Sequence, residues 1–328
     1  MAKKFIPPRR GKLKIGVLFG GKSAEHDISL ISAKNVIKSL DKTKYIVTPV
    51  KINKDGKFKI EIVKKFDVVF PVLHGPFGED GSMQGLLKVA GVPFVGPSVL
   101  GSALGMDKDV MKRLCRDAGI KIAKFITLRK GEKIDFNKIK RELGLPMFIK
   151  PANMGSSVGI SKVKNEKEFI TATNLALQFD TKIIIEENIK GREIECAILG
   201  NEVPMASVLG EIIPGEEFYS YDAKYVTETK TITDVKLDPK IKKNIQEIAL
   251  KVFKILECEG MSRVDVFLKD NGEVFVNEIN TIPGFTGISM YPKLWEASGI
   301  RQDKLLDRLI ELALERFERE QKLKTKAK

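Results

Sequence analysis

The segment from Arg263 to Leu268, followed by Asn271-Gly272 and then Glu273 to Asn280, constrains the fold more than any other part of the chain. Asn-Gly between two apolar-alternating runs is the strongest local signal for a β-hairpin, because both residues tolerate the positive φ that a tight turn between twisted strands requires. If Asp270 faces Glu273 across a two-residue turn, Asp265 lies opposite Glu278 and Arg263 opposite Asn280. Side chains alternate along a strand, so all four project from one face. Opposed carboxylates repel unless a cation sits between them, and the all-oxygen set Asp265, Glu278 and Asn280 suits Mg2+ or Mn2+ better than zinc. The hairpin is therefore expected to hold a metal beside Arg263, with Thr281-Ile282-Pro283-Gly284 as a rigid functional loop after it.

A hairpin needs a body around it, and 328 residues at roughly 150 per domain allow two or three units. In residues 1–106 the apolar run Ile15 to Phe19 ends at Gly20-Gly21, and Leu30, Ala33, Ile37 and Leu40 follow at helical spacing. Tyr45 to Ile52, Asp67 to Leu73 and Val92 to Val95 read as further strands, with a short helix from Gly81 to Val89, which makes a small parallel-sheet α/β unit. Residues 107–190 open with a helix through Cys115 and Ala118. Strands are expected at Lys124 to Leu128, Pro146 to Lys150, Ile160 to Val163 and Ile183 to Glu187. Residues 191–328 carry strands at Glu193 to Leu199 and Glu202 to Val208, an aromatic-rich loop from Phe218 to Tyr225, and the hairpin. A last helix follows, with Leu306, Leu309, Ile310, Ala313 and Phe317 on one stripe.

Composition narrows the partners. Hydrophobic residues at 43% exclude a disordered chain, and 57 Lys and Arg against 43 Asp and Glu leave a net charge of +14 that favours anionic ligands. Much of that charge lies on scattered lysines and the two termini, and no aromatic-basic RNA motif or DNA-reading helix accompanies it, so nucleic acid is not the expected partner. Cys115, Cys196 and Cys258 lack metal-ligand or disulfide spacing and read as small buried side chains of a reducing compartment. No run approaches the roughly 18 apolar residues of a membrane span, and a cytoplasmic location is expected.

Gly16 to Ser23 fits G-x-x-x-x-G-K-[ST] letter for letter, the pattern of a phosphate-wrapping loop. Three of its variable positions are Val17, Leu18 and Phe19, the apolar body of a strand, which cannot form that loop. The glycines instead turn the chain so that Ser23, Glu25 and His26 sit at a strand's carboxyl end, where α/β sheets bind ligands. A better phosphate site is Lys150 with the loop Pro151 to Gly159, a strand-to-strand flap whose amides and the hydroxyls of Ser156 and Ser157 can cover a triphosphate, with Lys150 as a point charge.

Eight spaced motifs occur in order: Gly-Gly-x-Ser-Ala-Glu-x-x-x-Ser from Gly20, Leu73-His74-Gly75, Gly78-Glu79-Asp80-Gly81, Met106-Asp107-Lys108, Lys-Pro-Ala-Asn-x-Gly-Ser-Ser-Val-Gly from Lys150, Tyr221-x-Ala-Lys-Tyr225, Arg263-x-Asp265 and Asn277-Glu-Ile-Asn-Thr-x-Pro-Gly-Phe-Thr286. By these the chain resembles the D-alanine-D-alanine ligases from about Lys14 to the last helix. The resemblance implies an ATP-grasp fold, in which two α+β units hold ATP between their sheets and the N-terminal α/β domain helps form the substrate site.

It also implies ATP-dependent ligation of two D-alanine molecules through a D-alanyl phosphate, for peptidoglycan precursors, with two magnesium or manganese ions on Asp265, Glu278 and Asn280. Lys108 and Lys150 would contact phosphates, Ser156 and Ser157 would lie in the flap, Glu186, Glu187 and Ile189 would line adenine with Glu193 on the ribose, and Phe218 and Lys224 would complete the nucleotide site. Glu25 would bind the first D-alanine's ammonium near His74, while Gly284 and Ser289 would hold the second's carboxylate. Tyr225 would join Glu25 and Ser156 in a network, and Arg263 would stabilise the phosphoryl group and the oxyanion. Position 154 is Met where some relatives carry Glu, so no role passes to it. The Lys224-Tyr225 pair is similar to the dipeptide ligases and unlike those accepting D-lactate; a relative using D-lactate or D-serine is the alternative. A homodimer is expected.

Overall fold

The computed structural model describes residues 11–213 and 230–324. Its first sheet is parallel in the order β2-β1-β3, from β1 (Leu13–Gly20), β2 (Tyr45–Ile52) and β3 (Val68–Val72), with α1 (His26–Ser39) crossing from β1 to β2. Ile15, Val17, Leu18 and all of β3 are buried, as a parallel sheet covered on both faces requires. The strand expected at Val92 to Val95 is reduced to a single bridge between Val69 and Phe94. Pro93 has no N–H to donate and Gly96-Pro97 ends the run, so the segment exchanges only two backbone bonds with Val69.

After α2 (Ser82–Val89), the helices α3 (Val99–Met106) and α4 (Lys108–Asp117) meet at Asp107, whose carboxylate caps the amides of Asp109 and Val110 at 3.1 Å each. The second sheet, ordered β4-β7-β5-β6, is antiparallel: β4 (Phe125–Arg129), β5 (Met147–Pro151), β6 (Ser161–Val163) and β7 (Lys182–Glu187). Helices α5 (Phe136–Leu143) and α6 (Glu166–Phe179) cover one face, where Ile139, Phe169 and Ala176 pack on Met147, Ile149, Ile183 and Ile185. The period of two then sends Lys150, Ile184 and Glu186 to the other face.

The third sheet runs β10-β9-β8-β11-β12, from β8 (Arg192–Gly200), β9 (Met205–Ile213), β10 (Lys230–Thr233), β11 (Gly260–Leu268) and β12 (Val274–Asn280). Helix α7 (Pro239–Ile255) closes its core with Ile245, Ala249, Val252 and Phe253. Met111 and Cys115 of α4 join this cluster, not the core of the second sheet that follows α4 in sequence.

Helices α8 (Met290–Ala297) and α9 (Gln302–Gln321) return to the N-terminal sheet, where Tyr291, Leu294, Trp295, Leu306, Leu309, Ile310 and Ala313 share one cluster with Ile15, Val17, Val68 and Phe70. The expected stripe on α9 is thus buried up to Ala313. Phe317 is only half-buried and its neighbour Arg316 takes the interior place. Its guanidinium donates to the carbonyls of Gly96 and Phe94 at 2.5 and 2.7 Å and lies 4.4 Å from the Phe94 ring. Those bonds satisfy a charge that burial alone would penalise. No helix among the described residues is long and apolar enough to cross a membrane.

Candidate active site

The hairpin places its polar pairs as expected, by a different route. Lys269 and Glu273 close a three-residue loop, the Lys269 amide donating to the Glu273 carbonyl and the Gly272 amide to the Lys269 carbonyl, both at 2.9 Å. Only Gly272, at φ 81°, is left-handed in this loop, so the two-residue turn is incorrect. The register slips back by one between Asp265 and Val266, which leaves Asn277 as a bulged extra residue on β12. The two departures cancel. Asp265 still faces Glu278 and Arg263 still faces Asn280.

Arg263 is the anchor of this face. Its Nε and Nη2 each donate to Asp265 at 2.7 Å, and Nη2 lies 3.2 Å from Glu195 on β8. Burial opposes the charged guanidinium, but Asp265, Glu195 and Glu278 outweigh it and hold its pKa well above the ordinary value. Glu195 sits across from Asp265 in the sheet and was not anticipated, although Glu193 and Glu195 two apart on one strand must share a face. The Asn280 Oδ1 is buried without a hydrogen-bond partner among the described residues.

This face forms one wall of a cavity of about 620 Å³ lined also by Glu25, His74, Glu79, Lys108, Ser156, Gly284 and Ser289. Lys108, the first residue of α4, donates to the Met154 carbonyl at 2.6 Å and lies 3.7 Å from Glu278. Position 154 thus contributes its backbone. Lys150 contacts Glu186 at 2.7 Å and the bulged Asn277 at 3.4 Å, while Lys112, one turn after Lys108, lies 3.1 Å from the same Glu186. Burial pulls the Lys150 ammonium down, but Glu186 with Glu278 and Glu193 raises it further. Lys112 is fully buried and stays lowered despite Glu186, and Glu186 is lowered by the two lysines against its own desolvation. Lys112 was absent from the sequence reading; its signal is the i, i+4 spacing that stacks it with Lys108 on one helix face.

The opposite wall comes from the N-terminal sheet. Ser23 Oγ donates to the His74 carbonyl at 2.6 Å and accepts from the Glu25 amide at 3.1 Å, so the glycine turn after β1 delivers Glu25, 5% exposed, into the cavity. Ser156 Oγ, from the flap, donates to Glu25 Oε1. His74 Nε2 lies 3.3 Å from Ser32 Oγ, and burial keeps its imidazole pKa low against the pull of Glu25. Lys22 stands 5.6 Å from the Phe77 ring and is exposed, outside this cavity, which agrees with rejecting the nucleotide-loop pattern at Gly16 to Ser23.

Ser289 Oγ accepts from the Thr286 amide at 3.0 Å, and a Cβ on Gly284 would stand 2.9 Å from that oxygen, so the loop after β12 is close-fitting around it. Glu193 lies on β8 near enough to act on Lys150, and Glu187 Oε1 accepts from the Lys124 amide at 2.7 Å. Ile189 follows β7 half-buried, and Ser157 lies in the flap with positive φ but not on the cavity wall. Phe218, Lys224 and Tyr225 lie outside the described residues.

Residues 114–311 match the family described as D-ala D-ala ligase C-terminus, and residues 14–63 and 59–97 match D-ala D-ala ligase N-terminus. The chain is 50% identical to the D-alanine-D-alanine ligase of Oceanobacillus iheyensis over 360 aligned positions, covering 96% of this chain and 98% of that one. Among solved structures, the D-alanine-D-alanine ligase of Coxiella burnetii superposes with a TM-score of 0.86 at 40% identity, covering 95% and 96% of the two chains. The Bacillus anthracis D-alanine-D-alanine ligase complexed with ATP superposes with a TM-score of 0.83 at 34% identity, covering 94% and 99%. The chain belongs to the D-alanine-D-alanine ligase family, with the ATP-grasp fold.

Proposed function

We propose that the cavity between Arg263 and Glu25 is where the chain joins two D-alanine molecules at the expense of ATP, for peptidoglycan precursor synthesis. The observation that carries this reading is the meeting in one hollow of Lys108 and the carboxylate-anchored Arg263 with Glu25, which Ser156 of the flap reaches across the cavity, while Lys150 lies against Glu186 outside its lining. Phosphoryl transfer to a carboxylate brings two anions together, so catalysis is chiefly positioning and charge neutralisation. Lys108 and Lys150 supply positive charge for phosphates, Ser156 and Ser157 cover them from the flap, and Glu186, Glu187, Ile189 and Glu193 line the nucleoside. Arg263, held rigid by Asp265 and Glu195, stabilises the transferring phosphoryl group and then the tetrahedral oxyanion.

Glu25 pairs with the ammonium of the first D-alanine beside His74, fixing its carboxylate toward the phosphate. Ser289 and Gly284 hold the carboxylate of the second, whose amine attacks the acyl phosphate; the C–N bond forms as phosphate leaves. The reading extends to Phe218, Lys224 and Tyr225 as the covering segment. No enzyme nucleophile is required, in keeping with three buried cysteines.

Asp265, Glu278 and Asn280 fit Mg2+ or Mn2+ by donor chemistry, and the buried, unpartnered Asn280 Oδ1 supports it. Among the described residues no cluster of three or more His, Cys, Asp or Glu could hold an ion alone, so Asp265, Glu278 and Asn280 would hold the ions, two by the family resemblance, together with the nucleotide. The bound ions would neutralise the triphosphate. Three functional units, 1–106, 107–190 and 191–328, a homodimer and a cytoplasmic location complete the proposal. The test is product identification from D-alanine mixed with D-lactate and D-serine, with ATP and Mg2+; D-alanyl-D-alanine should dominate, and phosphate release with none of these acceptors ends the reading.

A further inference from the structure

Glu79 has no part in the scheme above, yet it is buried on the wall of the same cavity, 6% exposed. Its Oε2 accepts from the Gly75 amide at 2.5 Å and its Oε1 from the Ile282 amide at 3.3 Å, so it ties the turn after β3 to the loop after β12. Glu25 reaches the same turn from the other side. A Cβ built on Gly75, which has φ 71°, would stand 2.5 Å from Glu25 Oε2, so only glycine lets both carboxylates approach. Two carboxylates thus share one buried turn.

The groups that face Glu79 are Glu25 from the start of α1, His74 from its own loop, and Lys108 from α4, with Glu278 on the same wall. His74 is held low by burial and supplies no positive charge near neutrality. Lys108 is committed to the Met154 carbonyl and to Glu278. Among the described residues the pair therefore has no cation committed to it, and the charge of Glu25 opposes ionisation of Glu79 in an empty site.

We propose that Glu79 is a second carboxylate for the ammonium of the first D-alanine, and that this substrate enters with release of a proton from Glu79 to solvent. The proposal rests on the reading of Glu25 as the ammonium partner. In the empty site the Glu79 O–H bond is intact; the incoming ammonium brings one positive charge, the proton departs to buffer, and two carboxylates then face one cation. Desolvation and the Glu25 charge lift the Glu79 carboxyl to about 8, against the two backbone amides and Lys108, which agrees with a protonated empty state near neutrality. The apparent affinity for D-alanine then rises about tenfold per pH unit up to that value and levels beyond it.

The experiment is calorimetric titration of D-alanine into the full chain saturated with a non-hydrolysable ATP analogue and Mg2+, in buffers of different ionisation enthalpy. Wild type should release close to one proton per D-alanine at about pH 7 and little at about pH 9. Glu79→Gln, which keeps an acceptor for the Gly75 amide, should release none and bind roughly tenfold more weakly. Buffer-independent heats in wild type, or an undiminished release in folded Glu79→Gln, overturn the proposal. Should that variant not fold, the wild-type pH series decides alone. Glu25→Gln separates the two readings: weakened binding with no proton release in wild type sinks only the role of Glu79, while unweakened binding sinks the ammonium site and this proposal with it.

Discussion

Two buried clusters, one on the cavity wall and one outside its lining, are charged in opposite senses. In the Lys112-Glu186-Lys150 cluster two lysines share one carboxylate; at the Glu25-Glu79 turn two carboxylates meet with no cation committed to them among the described residues. A buried surplus of either sign is costly, and it persists where a ligand of the other sign arrives to cancel it. On the proposed reading the lysine cluster would serve phosphate and the carboxylate pair an ammonium. The surplus carries more information than the chain's net charge of +14, which gives no position.

The difference can be broken by substitution. Arg263→Ala or Glu278→Gln should lower kcat by about 10³-fold or more with the fold intact by circular dichroism, since each removes charge present where charge develops in the transition state. Near wild-type turnover would detach the hairpin from the chemistry. Lys112→Met comes next. It leaves Glu186 paired with Lys150 and removes the lysine surplus, so stability in denaturant unfolding should hold or rise while the KM for ATP increases. An unchanged KM would mean that the surplus does not serve the nucleotide.

Glu79→Gln sharpens the other cluster. A carboxyl whose folded pKa is raised favours the fold most below its unfolded pKa, and that advantage is lost as pH rises through the folded value. From about pH 4.5 to 8 wild type should therefore lose stability relative to Glu79→Gln, by at most about 1.4 kcal/mol per pH unit, as read from paired unfolding curves. A constant difference across that range would place the extra proton elsewhere. Smallest of all, Lys22→Ala should leave kcat/KM for ATP within about twofold, whereas loss of a phosphate-loop lysine would remove orders of magnitude.

Legibility in the sequence followed physical range. Strand and helix positions set by local periodicity, such as Tyr45–Ile52 and Ser82–Val89, were readable within a residue. The opposed pairs of the hairpin were readable too, although the turn was not, because a three-residue loop with Gly272 left-handed and a bulge at Asn277 have no simple sequence mark that separates them from a plain two-residue turn. Lys112, Glu79 and Arg316 were missed for another reason. Each is a charged residue made interior by partners 74, 203 and 220 or more positions away, and composition treats such residues as surface. The motif containing Glu79 was visible, but what makes it unusual is a second carboxylate across Gly75, which only folding brings near.

The union of α8 and α9 with β1 and β3 bears on how the chain comes into being. Strands β1 and β3 bury one face against residues far along the chain, between Tyr291 and Ala313. Without α8 and α9, Ile15, Val17 and Phe70 have no such cover, and a truncation before α9 would leave that apolar face open to other chains. The cores of the second and third sheets draw on nearer stretches of chain, whereas the N-terminal layer is covered only once α8 and α9 have docked.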